Sequence, residues 1–339
     1  MIKFVIVFFI SLLALFVFYA ASPRVMMPSS YIHTYDVAET KSVFSNTLRL
    51  MTYNIGFGGG LENEEGRAES KELIEKNLSD IVRLVNEENP DVLCVQEIDI
   101  YSRRSHGIDQ VEYLAKACNF PYTATAITWN KKWVPHPLGL NFKKQFGFVF
   151  AAQVVFSKYP IESQTVIKLE KPSSNPFWYN WFYLDRLLQT VTIKIADKLF
   201  NVGNIHLEAF DQEARIQQVN YLLNHAYISS SSLDVLVGDF NTIHKEWTNQ
   251  TSFPNEPKIS FDHDESIQAI LAKSGLIEVF QVNRTNANLK DFFTFPSNNP
   301  NRQLDYVFYN QNKVELKNAQ VITESLASDH FPINVDLAL

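Results

Sequence analysis

The stretch Leu233–Asn241, LDVLVGDFN, is an apolar, valine-rich run that closes on a carboxylate, Asp239, and a carboxamide, Asn241. Residues two apart at a strand end project to the same side, so both of these side chains can reach one phosphate-sized group. The same arrangement recurs along the chain. Asn54 ends the run in TYNIG, Glu97 in VQEID, His206 in GNIHLEA and Asp305 opens QLDYVF, while Asp329 and His330 stand in SDHFP. A single Asp or Asn after a strand usually serves as a turn former bonded to its own backbone. Six strand ends carrying such groups in one chain point instead to a shared site. Asp305 reads as part of a strand, where an uncompensated carboxylate is costly, so a partner such as His330 is expected.

Outward from that stretch, β-rich runs alternate with amphipathic helices, which excludes an all-helical fold. Strands are expected at Thr47–Ile55, Asp91–Ile98, Phe148–Phe156, Leu187–Ile195, Leu199–His206, Leu233–Val237, Leu304–Tyr309 and Ile333–Leu337. Asp91–Ile98 (DVLCVQEI) is almost continuously apolar, as in a strand buried on both faces. Ala68–Asn89 reads as a helix with Ile74, Leu78, Ile81 and Val85 on one face, stopped by Pro90. Asp211 is expected to cap a helix carrying Val219, Leu222, Leu223 and Ala226. Two face-to-face sheets covered by helices accommodate this order, giving an α+β class with two mixed sheets.

With 339 residues, 46% hydrophobic and 20% charged, the chain can bury a large core. Its two cysteines, Cys94 and Cys118, do not make a disulfide scaffold, and Cys94 reads as a small buried hydrophobe. A formal charge of −7 supplies no global attraction for a polyanion. At the N-terminus, Phe4–Ala21 is uncharged and long enough as a helix to span about 27 Å, close to a hydrocarbon core. Cleavage after Ala20 or Ala21 would put Phe18 or Tyr19 at the −3 position, a poor signal-peptidase site. Residues 1–22 therefore read as a transmembrane anchor, with a removed signal as the alternative. Residues 23–46 read as a tether and 47–339 as the catalytic domain, placed by the weak positive-inside bias of Lys3 on the extracytosolic side.

Carboxylates and carboxamides suit a hard cation such as Mg²⁺ or Mn²⁺ better than zinc, which prefers a denser His and Cys set. A His paired with Asp is fixed in one tautomer and tuned for proton transfer near neutral pH. TYN, QE, a histidine-bearing strand end, GDFN, LDYVF and SDH, in this order, resemble the motif series of the endonuclease/exonuclease/phosphatase (DNase I-like) superfamily, over residues 48–339. The resemblance implies a four-layer α/β/β/α sandwich. It also implies that Glu97 is the main metal carboxylate, with Asn54 and Asp329 completing the metal site. His330 is then the general base or acid, oriented by Asp305. Asp239 and Asn241 position the attacking water and the phosphate, His206 donates to the developing charge, and Arg186 contacts the phosphate or serves a structural ion pair.

Other residues read as peripheral. His33 falls in the tether, His106 follows RRS, His136 lies in a loop, His225 belongs to a helix, and His244, just after GDFNT, reads as a solvated loop histidine, with approach to the site as the alternative. Arg103 and Arg104 are expected in a solvated loop, within reach of a phosphate only if that loop folds over the site. Trp129–Gly147, with Lys131, Lys132, Lys143 and Lys144, and Phe177–Tyr183 (FWYNWFY) read as decoration, suited to a lipid interface or to single-stranded nucleic acid, with plain packing of FWYNWFY against the domain as the alternative. The leading expectation is a phosphoester hydrolase acting on a phospholipid headgroup or another small phosphoester, sphingomyelinase-like or phosphoinositide phosphatase-like. A DNA- or RNA-cleaving nuclease is the runner-up and a non-catalytic scaffold the third reading. No obligate protein partner is indicated.

Overall fold

The computed structural model describes residues 2–37, 46–62, 70–139, 141–248, 265–281, 283–285 and 288–339. The strands in chain order are β1 (Ser30–Thr34), β2 (Thr47–Asn54), β3 (Val92–Asp99), β4 (Tyr122–Val134), β5 (Gly147–Ser157), β6 (Ile161–Lys168) and β7 (Leu187–Ile195). They continue with β8 (Lys198–His206), β9 (Val235–Asp239), β10 (Ile277–Glu278), β11 (Asp305–Tyr309), β12 (Glu315–Val321) and β13 (Ile333–Ala338). The helices are α1 (Ile2–Ala21), α2 (Lys71–Glu88), α3 (Gln110–Ala117), α4 (Phe177–Asn180), α5 (Gln212–Asn224) and α6 (Ser266–Lys273).

Alternation along each central strand decides the layering. Leu48 and Leu50 of β2 and Val92 and Cys94 of β3 face the second sheet, where Val191, Val202, Val235, Val237 and Val307 meet them. Met51, Tyr53, Leu93 and Val95 face the other way, onto Ile74, Leu78, Ile81 and Val85 of α2 and Leu114 of α3. The second sheet repeats this outside, with Leu188, Ile205, Leu236 and Phe308 against Val219 and Leu222 of α5 and Ile267 and Ile270 of α6. A period of two with both faces apolar makes each central strand a shared wall between two cores, and the expected four-layer sandwich results.

The first sheet runs β1-β4-β5-β3-β2-β13-β12 and the second β10-β11-β9-β8-β7-β6. Each is mixed: β2–β3 and β8–β9 are parallel pairs among antiparallel neighbours. In the second sheet the register sets His206 beside Asp239, and Asp239 beside Asp305. Three functional side chains thus share one end of adjacent strands. The β8–β9 contact is close: a Cβ on Gly238, whose φ is +138°, would stand 1.9 Å from the Ile205 carbonyl oxygen. Only glycine fits there.

Local signals fix the helices. Ser70 Oγ accepts from the Leu73 amide at 3.1 Å, and Asn89, at φ +50°, closes α2 before Pro90. The first residues of the expected Ala68–Asn89 helix lie outside the described residues. Asp211 Oδ1 accepts from the Ala214 amide at 2.8 Å, as an N-cap should. Ala226, expected on that helix, lies past its end at φ +55°.

Two expectations are corrected by pairing. Ser30–Thr34, inside the stretch read as plain tether, is an edge strand running antiparallel to β4. Trp129–Gly147 is not surface decoration throughout, because Trp129–Val134 belong to β4, Gly147 opens β5, and Trp129 and Phe146 are buried together. The Arg103–Arg104 loop is not solvated either. Arg104 is 2% exposed, makes two bonds to Asp99 at 2.9 and 3.0 Å, and lies on the Phe57 ring. Arg103 lies over Trp133 and donates to the Phe142 and Gln145 carbonyls. Cys94 is fully buried, as a small hydrophobe is.

Candidate active site

Asp239 is the hub of the strand-end cluster. Its Oδ2 accepts from Asn54 Nδ2 at 2.9 Å and lies 3.4 Å from His206 Nε2 and 3.8 Å from His330 Nε2. Its Oδ1 accepts from the Asn241 amide at 2.9 Å, which holds Asn241 at φ +50°. The Asn241 carboxamide donates to the Leu207 carbonyl at 3.1 Å. Asn54 reaches across from the first sheet, and its Oδ1 accepts from the Gly56 amide at 3.0 Å. One carboxamide therefore ties the two sheets together at the site.

His330 enters from the turn before β13. Ser328 Oγ donates to the Asn54 carbonyl at 2.7 Å and accepts from the His330 amide at 3.2 Å, which pins this turn to the end of β2. His330 Nδ1 lies 2.8 Å from Asp305 Oδ2, the pairing expected of a buried carboxylate and an imidazole. Asp305 Oδ1 is buried with no hydrogen-bond partner among the described residues. Burial works against a charged imidazole, but Asp305, Asp239 and Asp329 outweigh it and raise the His330 pKa to about 10.

Glu97 owes its aim to backbone irregularity. The β3–β5 register shifts between Val95 and Ile98, and Glu97 sits in that bulge at φ +53°. A bulge re-aims a side chain at a sheet end. Gln96 turns inward and donates to Asn204 Oδ1 of β8 at 2.7 Å, while Glu97 lies 3.8 Å from His206 Nε2. Burial, then the nearby Asp329 carboxylate, pushes the Glu97 pKa up to about 7. Asp329 Oδ1 comes within 3.1 Å of the place a Cβ on Gly56 would occupy, and Gly56 has φ +51°. Glu97 and Asp329, two carboxylates near enough that the Asp329 charge raises the Glu97 pKa, fit the donor set of a hard cation. Among the described residues, one larger group of acid and imidazole ligand atoms converges within 4.8 Å: Asp239, Asp305 and His330. It differs from the expected set of Glu97, Asn54 and Asp329, and the Asp305–His330 bond already uses one donor from each partner.

The opposite wall is Arg186 and His206. An Arg186 guanidinium nitrogen contacts His206 Nε2, and a guanidinium only donates, so Nε2 accepts and the ring is neutral. Burial, then the Arg186 and His330 charges, holds the His206 pKa well below the usual histidine value. Arg186 has the ion-pair geometry weighed for it, its Nε lying 3.8 Å from Glu208 Oε2, and its guanidinium also reaches His206.

Glu208 was not anticipated, although HLEA places it two residues beyond His206. It is fully buried and accepts from Tyr183 Oη at 2.7 Å and the Phe210 amide at 3.0 Å. His244 is not a solvated residue: it is buried, stacks on Trp247 at 4.1 Å, and accepts from the Glu246 amide.

The sequence over residues 51–330 matches the Endonuclease/Exonuclease/phosphatase family. That span holds every motif of the cluster. The chain belongs to the endonuclease/exonuclease/phosphatase family. Members of this family hydrolyse phosphoester bonds, many with divalent metals. Solved structures share the fold. An endonuclease/exonuclease/phosphatase from Beutenbergia cavernae is 22% identical with a TM-score of 0.63, over 86% of this chain and 72% of that one. The human Nocturnin catalytic domain, with a bound sulfate anion, is 16% identical with a TM-score of 0.55, over 86% and 93%. A Bacteroides thetaiotaomicron mannosyl-6-phosphatase is 17% identical with a TM-score of 0.53, over 86% and 100%. No curated protein sequence matches the chain.

Proposed function

We propose that this endonuclease/exonuclease/phosphatase domain is a divalent-metal-dependent phosphoester hydrolase, anchored by α1 on the extracytosolic side and acting on a phospholipid headgroup or a similar small phosphoester. The observation that carries the hydrolytic part is the Asp305–His330 pair set 3.8 Å from Asp239, with Glu97 on the facing wall.

Glu97 and Asp329, with Asn54 beside them, would hold Mg²⁺ or Mn²⁺. Such an ion, when bound, neutralises phosphoryl charge and stabilises the leaving oxygen. The chain's own groups handle position and protons. Asp239 and the Asn241 carboxamide fix a water in line with the phosphorus, and Arg186 draws the phosphoryl oxygens in. His330 Nε2 is the ring nitrogen not tied to Asp305, so it carries the transferable proton. The three carboxylates that keep His330 charged make it a proton donor to the leaving oxygen, while Asp239 accepts the proton of the attacking water.

The lipid part draws on α1, which carries a 19-residue stretch of mean hydropathy 2.8, and on the acidic charge balance. The test is hydrolysis of a phosphodiester and a phosphomonoester by wild type and His330→Ala, each with and without chelator. Wild-type turnover should fall by roughly a hundredfold or more on either change. Turnover that survives both would overturn the mechanism. Parallel assays on sphingomyelin, phosphoinositides, DNA and RNA decide the substrate, and DNA cleavage without lipid turnover would remove the lipid assignment.

A further inference from the structure

The apolar helix α1 is fastened to the domain as soon as it ends. Lys131 Nζ donates to the Ala21 carbonyl at 2.9 Å, the Lys132 amide donates to the Ser22 carbonyl at 3.0 Å, and the Lys132 ammonium lies 4.7 Å from the Tyr19 ring centre. The Arg24 and Val25 amides both donate to Asn130 Oδ1. The neighbouring residues of β4 hold the aromatic segment. Trp129 Nε1 donates to the Phe182 carbonyl at 2.7 Å, and the Asp185 amide donates to the Thr128 carbonyl at 2.7 Å. A cavity of about 280 Å³, lined by Met26, Pro28, Trp129 and Tyr183, separates the two attachments.

The segment therefore lies beside the place where α1 meets the domain, and its large rings are not packed into the core. Phe177, Trp178 and Trp181 are 72%, 42% and 49% exposed, and Phe177 packs edge-on against Trp181 at 5.4 Å. Phe210, 83% exposed, is joined to the same corner because its amide and Tyr183 Oη share Glu208 Oε1. Three residues after Tyr183 comes Arg186, the wall of the active site.

We propose that Phe177, Trp178 and Trp181, on and just after α4, form an interfacial clamp that settles at the headgroup level of the bilayer entered by α1 and holds the Arg186 side of the active site against the membrane surface. This rests on the membrane anchoring proposed above. A contiguous exposed apolar patch marks an interaction surface, and indole and phenyl rings favour the membrane–water interface. Continuity with the end of α1 selects a bilayer over a soluble partner, because the same strand grips both elements. Fastened at the end of α1 alone, the domain could still turn and tilt with that helix, whereas a second contact on the same corner fixes its orientation.

The full-length chain reconstituted into phosphatidylcholine vesicles provides the test. No tryptophan lies in α1, so any quenching by lipids brominated at shallow acyl positions comes from the domain. Wild type should be quenched, and Trp178→Phe/Trp181→Phe should lose most of the quenchable signal. Equal quenching in both would overturn the clamp. So would absence of quenching together with a dimer that Phe177→Ser/Trp181→Ser dissolves, since the patch would then belong to a second copy. In activity, Phe177→Ser/Trp181→Ser should slow turnover of a vesicle-embedded phosphoester lipid by roughly tenfold or more. Turnover of a water-soluble phosphodiester should stay within about twofold, as none of these residues touches the reacting groups. If wild type turns over the soluble ester but no lipid, the lipid-substrate reading fails and the quenching result still decides the clamp.

Discussion

At Glu97 a backbone irregularity and a pKa shift have the same consequence. The left-handed residue of the β3 bulge brings a carboxylate close to Asp329 in a site that removes much of its water, so its proton is held up to about pH 7. A carboxyl whose folded pKa lies above its unfolded one favours the fold while protonated, and that contribution is lost as pH rises from about 4.5 to about 7. His206 acts in the opposite direction, because its lowered pKa destabilises the fold on acidification. The two are separated by substitution. In chelator, wild type should lose stability relative to Glu97→Gln as pH rises through that window, by roughly 1–3 kcal/mol, and saturating Mn²⁺ should restore it. Thermal unfolding at a series of pH values measures this, and a pH-independent difference would remove the shift. At the other wall, Asp305→Asn keeps the shape but cannot hold His330 charged or in one tautomer. Turnover should fall by roughly a hundredfold to ten-thousandfold with KM little changed; a loss confined to KM would reassign Asp305 to binding.

The elements that were legible in the sequence are those whose burial writes a pattern. Leu187–Ile195 was expected with the bounds of β7, and β2, β3, β5, β8, β9, β11 and β13 were expected within two residues at each end, because each is walled in by a core. The elements missed are held by pairing. β1, β6, β10 and β12 lie at the four sheet edges, and ELKNAQV in β12 leaves its charged side chains in solvent. β4, also missed, lies inside the first sheet between β1 and β5, but its YTATAITWNKKWV carries threonines and a lysine pair in place of an apolar run. A ladder partner far along the chain leaves no trace in the local sequence. The site divides in the same way: side chains at strand ends were readable from their motifs, while Glu208, Tyr183 and the Ser328 bridge needed tertiary contact to be seen. Among the elements, the β8–β9 pair has least tolerance, since it sets His206 against Asp239 over a glycine. Gly238→Ala would drive its methyl into the Ile205 carbonyl, so the strands must part. We expect a loss of roughly 2–4 kcal/mol in urea unfolding, and lower turnover in the fraction that folds. A wild-type midpoint for this variant would show that β9 shifts without harm.

At the scale of the whole molecule, the junction between α1 and the domain bears on whether the apolar segment is retained. Ala20 is fully buried, the Ala21 and Ser22 carbonyls each accept a hydrogen bond from β4, and Lys131 and Lys132 stand at the negative end of the helix. Removing the segment after Ala20 or Ala21 would break the bond to Ala21 or leave a charged amino terminus beside those lysines. It would also expose the part of β4 that Ala20 covers. The residues at −3, Phe18 or Tyr19, oppose cleavage for an independent reason, because the peptidase site takes small side chains. Both arguments support the anchoring by α1 proposed above. Expressed with its own N-terminus, the protein should sediment with membranes, resist extraction at alkaline pH, dissolve in detergent and yield an intact mass that includes Phe4–Ala21. External protease should reach the catalytic domain in intact cells, as the proposed extracytosolic placement requires. A soluble product beginning at Ala21 or Ser22, with unchanged thermal stability, would show that the junction contacts are dispensable and that the segment is a signal.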